Sequence, residues 1–332
     1  PFFGHIGMWY ASRQHVEPRP IHAFVFSEGS AAQLQRCLKS MLGDVRYPAL
    51  KITVIGTLTP EHLQLVDSFR SATCAPDFIR AETCPDGYMA HLSSALQAMS
   101  DDALVLTISD SVHFSSLDWG WEACGVFDLN AKAALCCGRI LDTQNRISSA
   151  GEYFGFGGLA GSPDEGRSAS EPGYSGFVFC DRSVSAAPFD FHLCAARFAK
   201  QALQRIPPDA SRFLLGRWLA AEALTAGLRV IYSPRLWLTH SPEWHAAPAP
   251  SASENHAFLS RYHALVAGEH FYPRFFSVEK SKGYTVALPH QRAAVINGVL
   301  SCLQGPHDFV NKIELSPRAY APPWIPSPTP TR

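Results

Sequence analysis

The residue with the clearest potential for chemistry is Asp110, which directly follows a continuous apolar strand pattern over residues 103–108. A carboxylate at the end of a buried strand can bind a hard divalent cation, and the cation can in turn hold a diphosphate. The alternative is a turn-forming aspartate, since aspartate is common at turns. The position of Asp110 leaves both interpretations open.

A histidine and a glycine-rich string are further candidates. His240 follows an apolar strand pattern over residues 236–239, where its ring can either bind a metal ion or fill a core position. The string 155–160 matches G-x-G-x-x-A, but it does not follow a first strand and open a helix, as a dinucleotide-binding loop must. The chain has no H-E-x-x-H, P-loop or G-x-S-x-G string, which argues against a zinc protease, a P-loop enzyme and a serine hydrolase.

These side chains need a scaffold that brings strand ends together, and the first half of the chain predicts one. Short apolar strands alternate with helical patterns, which indicates crossover units on a parallel sheet. Ligands of such sheets bind at the carboxyl ends of the strands, where Ser27, Gly56 and Asp110 all fall. The predicted strands are 21–26, 51–55, 78–81 and 103–108, and the predicted helices are 31–42, 60–69 and 88–99.

The second half of the chain continues the α/β pattern with longer irregular stretches. Residues 151–173 are rich in Gly, Ser and acidic residues and are expected to form a mobile loop. The tail from residue 316 is rich in proline and is expected to be extended or disordered. The predicted helices are 117–127 and 211–226, and the predicted strands are 133–137, 177–180, 228–232 and 236–239.

Composition bounds the class of protein. The 332 residues are 46% hydrophobic and 17% charged, which excludes a disordered chain, a collagen and a coiled coil. A formal net charge of -1 gives no basic excess to hold nucleic acid or an anionic membrane surface. No apolar run reaches the ~18 residues of a membrane span. The nine cysteines include no C-x-x-C pair, so we expect reduced thiols in a cytoplasmic protein.

Several segments, taken in order, resemble the GT-A-fold glycosyltransferases of family 2, especially the bacterial enzymes that build O-antigen and other surface polysaccharides. Residues 35–42, QRCLKSML, resemble the first helix of the family, and residues 104–110 resemble the strand that ends in its D-x-D motif. Residues 226–240 resemble its closing segment, which ends at a histidine. The resemblance covers roughly residues 20–285, and its other segments are 21–26, 86–96, 138–151, 175–182 and 271–273.

The resemblance implies a GT-A (Rossmann-like) α/β fold, with a mixed, mostly parallel sheet flanked by helices. One large domain would span residues 21–285, between an irregular N-terminal arm (1–20) and a C-terminal extension with the Pro-rich tail (286–332). It also implies transfer of a sugar from a UDP- or dTDP-sugar to a glycan or lipid-linked acceptor, with inversion and with Mg²⁺ or Mn²⁺. The location would be cytoplasmic, or peripheral at the inner face of the membrane.

The resemblance also implies roles for individual residues. Asp110 and His240 would bind the metal ion. Gly176 would line the acceptor side, where Trp119 could stack on a sugar. The family's base has no carboxylate counterpart at 214–218, and the nearest acids are Asp209 and Glu222. The residues near the nucleotide would be Phe26, Ser27, Glu28, Gly87 and Ser93.

Three departures from the family pattern leave a second function open. Residues 55–58 lack the aspartate that usually holds the nucleotide, the D-x-D motif is reduced to Ser109-Asp110-Ser111, and the base is missing at its usual place. A chain with these losses can also be a non-catalytic GT-A domain. Such a module would bind a glycan, other domains of a longer chain or a second copy of itself.

Overall fold

The structure is a computed structural model that describes residues 2–5, 8–11, 17–43, 47–72, 79–83, 88–244 and 250–304. Its strands are β1 (Phe2–His5), β2 (Met8–Ala11), β3 (Ile21–Ser27), β4 (Leu50–Gly56), β5 (Ile79–Thr83), β6 (Leu104–Ser109), β7 (Val112–Phe114), β8 (Ala133–Leu141), β9 (Ile147–Ala150), β10 (Tyr153–Phe154), β11 (Ala160–Gly161), β12 (Arg182–Val184), β13 (Phe191–Ala195) and β14 (Arg229–His240). Its α-helices are α1 (Ala31–Leu42), α2 (Pro60–Ala72), α3 (Tyr88–Gln97), α4 (Trp119–Leu129), α5 (Ala196–Leu203), α6 (Arg212–Thr225), α7 (Ala252–Ala267) and α8 (Pro289–Gln304).

A ten-stranded mixed sheet organises the molecule, in the order β12-β14-β8-β13-β6-β3-β4-β5, with β7 added beside β14 and β9 beside β8. The strands β3, β4, β5 and β6 are parallel, and β8 and β14 run in the same direction. The strand β13 is antiparallel to both of its neighbours, β6 and β8. Its amino end therefore lies at the same edge of the sheet as the carboxyl end of β6.

The first crossover unit shows why the sequence folds in this way. Ser30 caps α1 with its side chain, and the Gln33 side chain returns a hydrogen bond to the Ser30 backbone. Leu34, Leu38 and other apolar residues at helical spacing form the buried face. Gly43 ends the helix as predicted, with its N–H bonded to the Lys39 carbonyl. The unit carries the chain from β3 to β4, which lies on the side of β3 opposite to β6.

Helices cover both faces of the sheet and form two hydrophobic layers. One layer joins the sheet to α1, α2 and α4, with Leu38, Val66 and Trp119 in its core. The other joins it to the helices α3, α5, α6, α7 and α8, with Trp218 and Phe258 in its core. The observed architecture is therefore α/β with helices on both faces, as the sequence predicted.

Two predictions for the second half of the chain were wrong. Residues 177–180 do not form a strand, because residues 177–179 belong to a 3-10 helix, Tyr174–Phe179, and Cys180 caps its end. Residues 151–173 are not a mobile loop as a whole, because they contain β10 and β11 and bury Phe154 and Phe156. The prediction was wrong because a glycine-rich composition is typical of flexible loops. In this segment, Gly155 has a φ of 75° and permits a tight buried turn instead.

Smaller corrections concern the arm and β14. Within the predicted irregular arm, β1 pairs antiparallel with β2, which fits the strand preference of the aromatic residues there. The two strands predicted at 228–232 and 236–239 are one strand, β14, with an irregularity between Ser233 and Trp237. The proline-rich tail lies outside the described residues.

The described part of the C-terminal extension packs on the domain. Arg292, on α8, donates hydrogen bonds to the carbonyl oxygens of Pro273 and Phe276, and Ile296 lies in the hydrophobic core. Within the described part of the chain, no helix has the length and apolar character needed to cross a membrane.

Candidate functional site

A polar cluster lies at the carboxyl ends of β3 and β6, with Asp110 at its centre. The Asp110 Oδ2 atom accepts hydrogen bonds from Ser27 Oγ at 2.8 Å and from the Gly29 backbone N–H at 3.1 Å. The Asp110 N–H itself bonds to the Phe26 carbonyl at 2.9 Å. The chain leaves β3 toward β4 on one side while β6 lies on the other, so this is a switch point where open α/β sheets bind ligands.

Asp190 is a second carboxylate at this edge of the sheet, and the sequence analysis missed it. It precedes β13, and its backbone carbonyl accepts the Ser109 N–H at 3.0 Å. Its Oδ1 atom lies 3.4 Å from Ser111 Oγ, which is also 2.8 Å from Ser109 Oγ. Asp190, 80 positions further along the sequence than Asp110, thus contacts both serines that flank Asp110. The signal that could have found Asp190 is its place directly before an apolar stretch, whereas Asp110 lies just after one.

The cation of the cluster is Arg212, the first residue of α6. Its guanidinium forms an ion pair with Glu28, directly after β3. The guanidinium carbon lies 5.9 Å from the Phe26 ring centre and 4.5 Å from that of Phe213. Its charge also lowers the pKa values of Asp110 and Asp190 against the larger opposing effect of burial. The sequence analysis did not single out Arg212.

An ion pair between Glu152 and Arg217 acts electrostatically on Asp190. Arg217 donates from Nε to Glu152 Oε2 at 3.0 Å and from a terminal nitrogen to Oε1 at 3.2 Å. This is the two-pronged geometry that makes arginine–carboxylate pairs strong. The charge of Glu152 raises the pKa of Asp190, and the charge of Arg217 lowers it. The pair therefore influences the charge state of Asp190.

Burial gives the two acids unusual proton affinities. It raises the pKa of Asp110 above its ordinary value, although the hydrogen bonds from Ser27 and Gly29 partly oppose the shift. Burial and the charge of Glu152 raise the pKa of Asp190 to about 7. An acid with a pKa near neutral pH can take up a proton during a reaction and release it afterwards.

His240 lies beside the cluster. The carboxyl end of β14 is joined to the Asp110 segment by the hydrogen bond from Ser241 N–H to the Ser111 carbonyl at 2.7 Å. The His240 ring stacks on Trp244 with centres 4.0 Å apart, and its Nε2 lies 3.2 Å from Ser148 Oγ. Burial lowers the pKa of His240 to about 4, so the ring is neutral at pH 7.

The residues around Asp110 do not fit a dedicated divalent-cation centre. Throughout the described ranges, no group of three or more His, Cys, Asp or Glu side chains converges in a way that could hold a metal ion. Asp110 uses one oxygen for two hydrogen bonds, and Nε2 of His240 lies at a serine hydroxyl. A positive charge is already present in the form of Arg212. The expected pair of Asp110 and His240 is brought to one region but is not joined by a third ligand.

The structure places the expected nucleotide-side residues unevenly. Phe26, Ser27 and Glu28 all lie at the cluster, through the contacts given above. Ser93 is half-buried in the middle of α3. Gly87 lies outside the described residues.

The two expected acceptor-side residues lie in the hydrophobic core and in a 3-10 helix, respectively. Trp119 is buried in the core, where it stacks on Phe114 with ring centres 4.4 Å apart and donates to the Met41 carbonyl. Its indole therefore has no face for a sugar. Gly176 lies inside the 3-10 helix with a φ of 82°, and no strand carries it toward the sheet edge.

Neither expected base candidate belongs to the cluster. Glu222 is buried, and its carboxylate is occupied by Arg205, Arg261 and the Tyr262 hydroxyl. It lies ten residues beyond Arg212 on α6, about 15 Å along the helix axis. Asp209 is exposed in the turn before α6. Asp190, in contrast, contacts the Asp110 segment through the Ser111 hydroxyl.

Gly56 explains the missing nucleotide aspartate in physical terms. A Cβ atom at Gly56 would lie 2.0 Å from the Ser27 carbonyl oxygen, and its φ of 158° also disfavours a side chain. The neighbouring backbone is part of the β3–β4 ladder and cannot move aside. The end of β4 is therefore closed to any side chain at this position.

A separate cavity of about 1060 Å³ lies at the opposite, amino-terminal edge of the same strands. Its lining includes His22, Thr53 and Arg80 together with apolar residues of α3 and the following turn. Burial lowers the pKa of His22 to about 4, and its ring is bonded to Thr53. The cavity is therefore distinct from the cluster around Asp110.

The comparisons with known proteins identify the fold. No family model matches the chain, and no curated protein matches its sequence. The solved structure "GalNAc-T7 with UDP, GalNAc and Mn2+" aligns with 11% identity and a TM-score of 0.52, over 72% of this chain and 47% of that one. This chain thus spans about half the length of that protein.

A second solved structure is a mannosyltransferase of Pyrobaculum calidifontis in complex with GDP-Man and Mn2+. It aligns with 13% identity over 77% of this chain and 66% of that one, at a TM-score of 0.45, which is too low to support an assignment. The sheet order, the helices on both faces and the likeness to GalNAc-T7 agree with the sequence-based expectation. The chain has the GT-A fold of nucleotide-sugar-dependent glycosyltransferases.

Proposed function

We propose that the chain transfers a sugar from a nucleotide-sugar donor to an acceptor hydroxyl. The observation that carries this proposal is that Asp110 ends the β6 segment at the switch point of the sheet, while Asp190 lies 3.4 Å from the hydroxyl of the next residue, Ser111. One acid sits where the donor strands end and the other precedes the antiparallel strand β13. A fold alone does not fix an activity, so the proposal rests on this arrangement.

The chemistry needs a donor side and a base. In the proposed reaction, the acceptor oxygen forms a bond to the anomeric carbon of the sugar while the bond from that carbon to the diphosphate oxygen breaks. The diphosphate leaves with the electron pair, and Asp190 takes the acceptor proton. Attack on the face opposite to the leaving group inverts the anomeric configuration. Asp190 suits the base role because its pKa is raised to about 7.

The donor side is formed by the end of β3. We propose that Phe26, Ser27 and Glu28 lie next to the base and ribose of a UDP- or dTDP-sugar, with Ser93 farther along the same side. Asp110 holds the backbone of this segment in place through Ser27 and Gly29. Ser241, the residue after His240, is bonded to the Asp110 segment through the Ser111 carbonyl and brings His240 beside the donor side.

The finer identity follows the sequence resemblance. We propose a family 2 type of enzyme that adds a sugar to a glycan or lipid-linked acceptor of a bacterial surface polysaccharide. Its location would be cytoplasmic, at the inner face of the membrane when the acceptor is lipid-linked. The resemblance of residues 35–42 and 226–240 supports this assignment.

Calorimetric titration of UDP and dTDP, with Mn²⁺ and with EDTA, tests the donor side. We expect saturable binding of one nucleotide, and at least about tenfold weaker binding for Asp110→Ala, equivalent to about 1.4 kcal/mol. The reason is that removing Asp110 releases Ser27 and Gly29 at the end of β3. Asp67→Ala is the matched control, since Asp67 is an exposed acid on α2 paired with Arg70. Loss of affinity in both variants alike would contradict a specific role of Asp110.

A non-catalytic GT-A domain is the second candidate. The closed position at Gly56 favours it, because an aspartate cannot be accommodated at this one of the four positions 55–58. Such a domain would hold a glycan, other domains of a longer chain or a second copy of itself. Failure of both UDP and dTDP to bind in every condition would favour this candidate over the transferase.

A further inference from the structure

The departure of the diphosphate in the proposed reaction requires a nearby positive charge. Negative charge builds up on the diphosphate as the sugar bond breaks, and a fixed cation lowers the energy of that state. The described residues do not form a set of three metal-ligating side chains around Asp110. A side-chain cation at the same sheet edge can serve instead.

Arg212 is held at the required place by contacts from several elements. It forms an ion pair with Glu28, which lies just beyond β3, and its guanidinium lies near the Phe26 ring of the same strand. Its own neighbour Phe213 packs against the guanidinium at 4.5 Å. Only 14% of the Arg212 side chain is exposed, so its position is fixed before any ligand arrives.

Glu28 shows that the guanidinium is available to an anion. The Glu28 side chain is 58% exposed, so it can move aside into solvent at little cost. The Nε atom of Arg212 is buried and makes no hydrogen bond within the described residues. An arginine fork binds two oxygens of a phosphate at once, which suits a diphosphate better than a single carboxylate.

We propose that Arg212 binds the donor diphosphate directly and supplies the positive charge that a divalent cation would otherwise provide. The proposal rests on the function proposed above and adds to it the group that recognises the diphosphate. In this arrangement Glu28 gives up the guanidinium when the donor binds. Asp110 positions the end of β3 and does not act as a metal ligand.

Titration of UDP, dTDP and the diphosphate-free nucleosides uridine and thymidine tests the proposal. We expect the wild-type protein to bind the nucleoside diphosphate in EDTA about as tightly as in Mn²⁺. Arg212→Gln should weaken diphosphate binding by at least about tenfold and leave nucleoside binding unchanged. Arg212→Lys keeps the charge but loses the fork, so its affinity should fall between the two. Arg197→Gln, at an exposed arginine on α5, is the matched control.

Each outcome separates the inference from the proposed function. Nucleoside diphosphate binding that needs Mn²⁺, or that is unchanged in Arg212→Gln, would overturn the role of Arg212 and leave the transferase intact. Absence of binding by both UDP and dTDP in all conditions would instead overturn the proposed function. Thermal melting checks that each variant is folded. If Arg212→Gln does not fold, the Arg212→Lys variant replaces it in the test. Wild-type affinity of folded Arg212→Lys for the nucleoside diphosphate would contradict the proposed contact of the guanidinium with two diphosphate oxygens.

Discussion

Replacing Asp190 by Asn is expected to lower the rate of sugar transfer by about 10²–10⁴-fold, because the variant cannot accept the acceptor proton. The amide keeps the size of the side chain and can still receive the Ser111 hydrogen bond. Nucleotide affinity should therefore stay close to that of the wild type. Initial rates at saturating donor and acceptor, together with calorimetric affinities, provide the measurement.

Asp209→Asn is the matched comparison for Asp190→Asn. Asp209 is exposed in the turn before α6 and is one of the two base candidates, with Glu222, that the sequence suggested. Full activity in Asp209→Asn together with loss in Asp190→Asn is the expected result. The reverse pattern would show that the base comes from the turn before α6 and that Asp190 has a structural role.

The pH dependence gives Asp190 an independent signature. Because its pKa is raised to about 7, the wild-type rate should increase with pH up to about 7 and then level off. The raised pKa also means that the folded state holds this proton more tightly than the unfolded state, whose value lies near 3.8. Stability from this group therefore decreases as pH rises from about 4 to about 7. Asp190→Asn should be the more stable protein at pH 8 and not at pH 4, as measured by thermal melting.

Removing the arginine of the Glu152–Arg217 pair should have the largest effect on stability. Arg217→Ala leaves the Glu152 carboxylate buried without its two-pronged partner, which costs about 3–5 kcal/mol of unfolding free energy in comparable pairs. It should also raise the pKa of Asp190 further, because Arg217 lowers that pKa in the wild type. Urea unfolding measures the first effect, and the pH–rate profile measures the second.

Two further variants distinguish the cost of breaking a buried ion pair from the cost of breaking an exposed one. Arg70→Ala breaks an exposed ion pair with Asp67 and should cost at most about 1 kcal/mol. The double variant Glu152→Gln with Arg217→Met removes both charges and should recover much of the loss in Arg217→Ala. Equal stability of Arg70→Ala and Arg217→Ala would contradict the view that the Glu152 charge is buried and dependent on its partner.

The first half of the fold could be predicted because its signals are local. The helix over 31–42 has a serine cap, apolar residues at helical spacing and a glycine stop, and α1 has the same bounds. The strand ends at Ser27, Gly56 and Asp110 followed from apolar runs that end in polar or small residues. These features place Asp110 at the sheet edge without any long-range information.

The base and the cation could not be predicted in the same way. Asp190 reaches the site because β13 inserts antiparallel between β6 and β8, and no local pattern encodes that pairing. The strand β13 also runs into α5 at Ala196 without a glycine or proline between them, so neither element was found. Glu222 lies on the expected helix α6, but its carboxylate is bound by Arg261 and Tyr262 of α7, which are distant in the sequence.

The direction of β13 has a consequence for how such a site can change over evolutionary time. The end of β3 and Asp110 are encoded between residues 21 and 110, and Arg212 is supplied by α6, whereas Asp190 comes from a separate stretch that enters the sheet antiparallel to β6. Substitutions in the chain just before β13 can therefore alter or delete the proton acceptor while the crossover units fold as before. Catalytic turnover can therefore be gained or lost by substitutions that do not affect nucleotide recognition. Few mutations would then separate active from inactive descendants of the same fold.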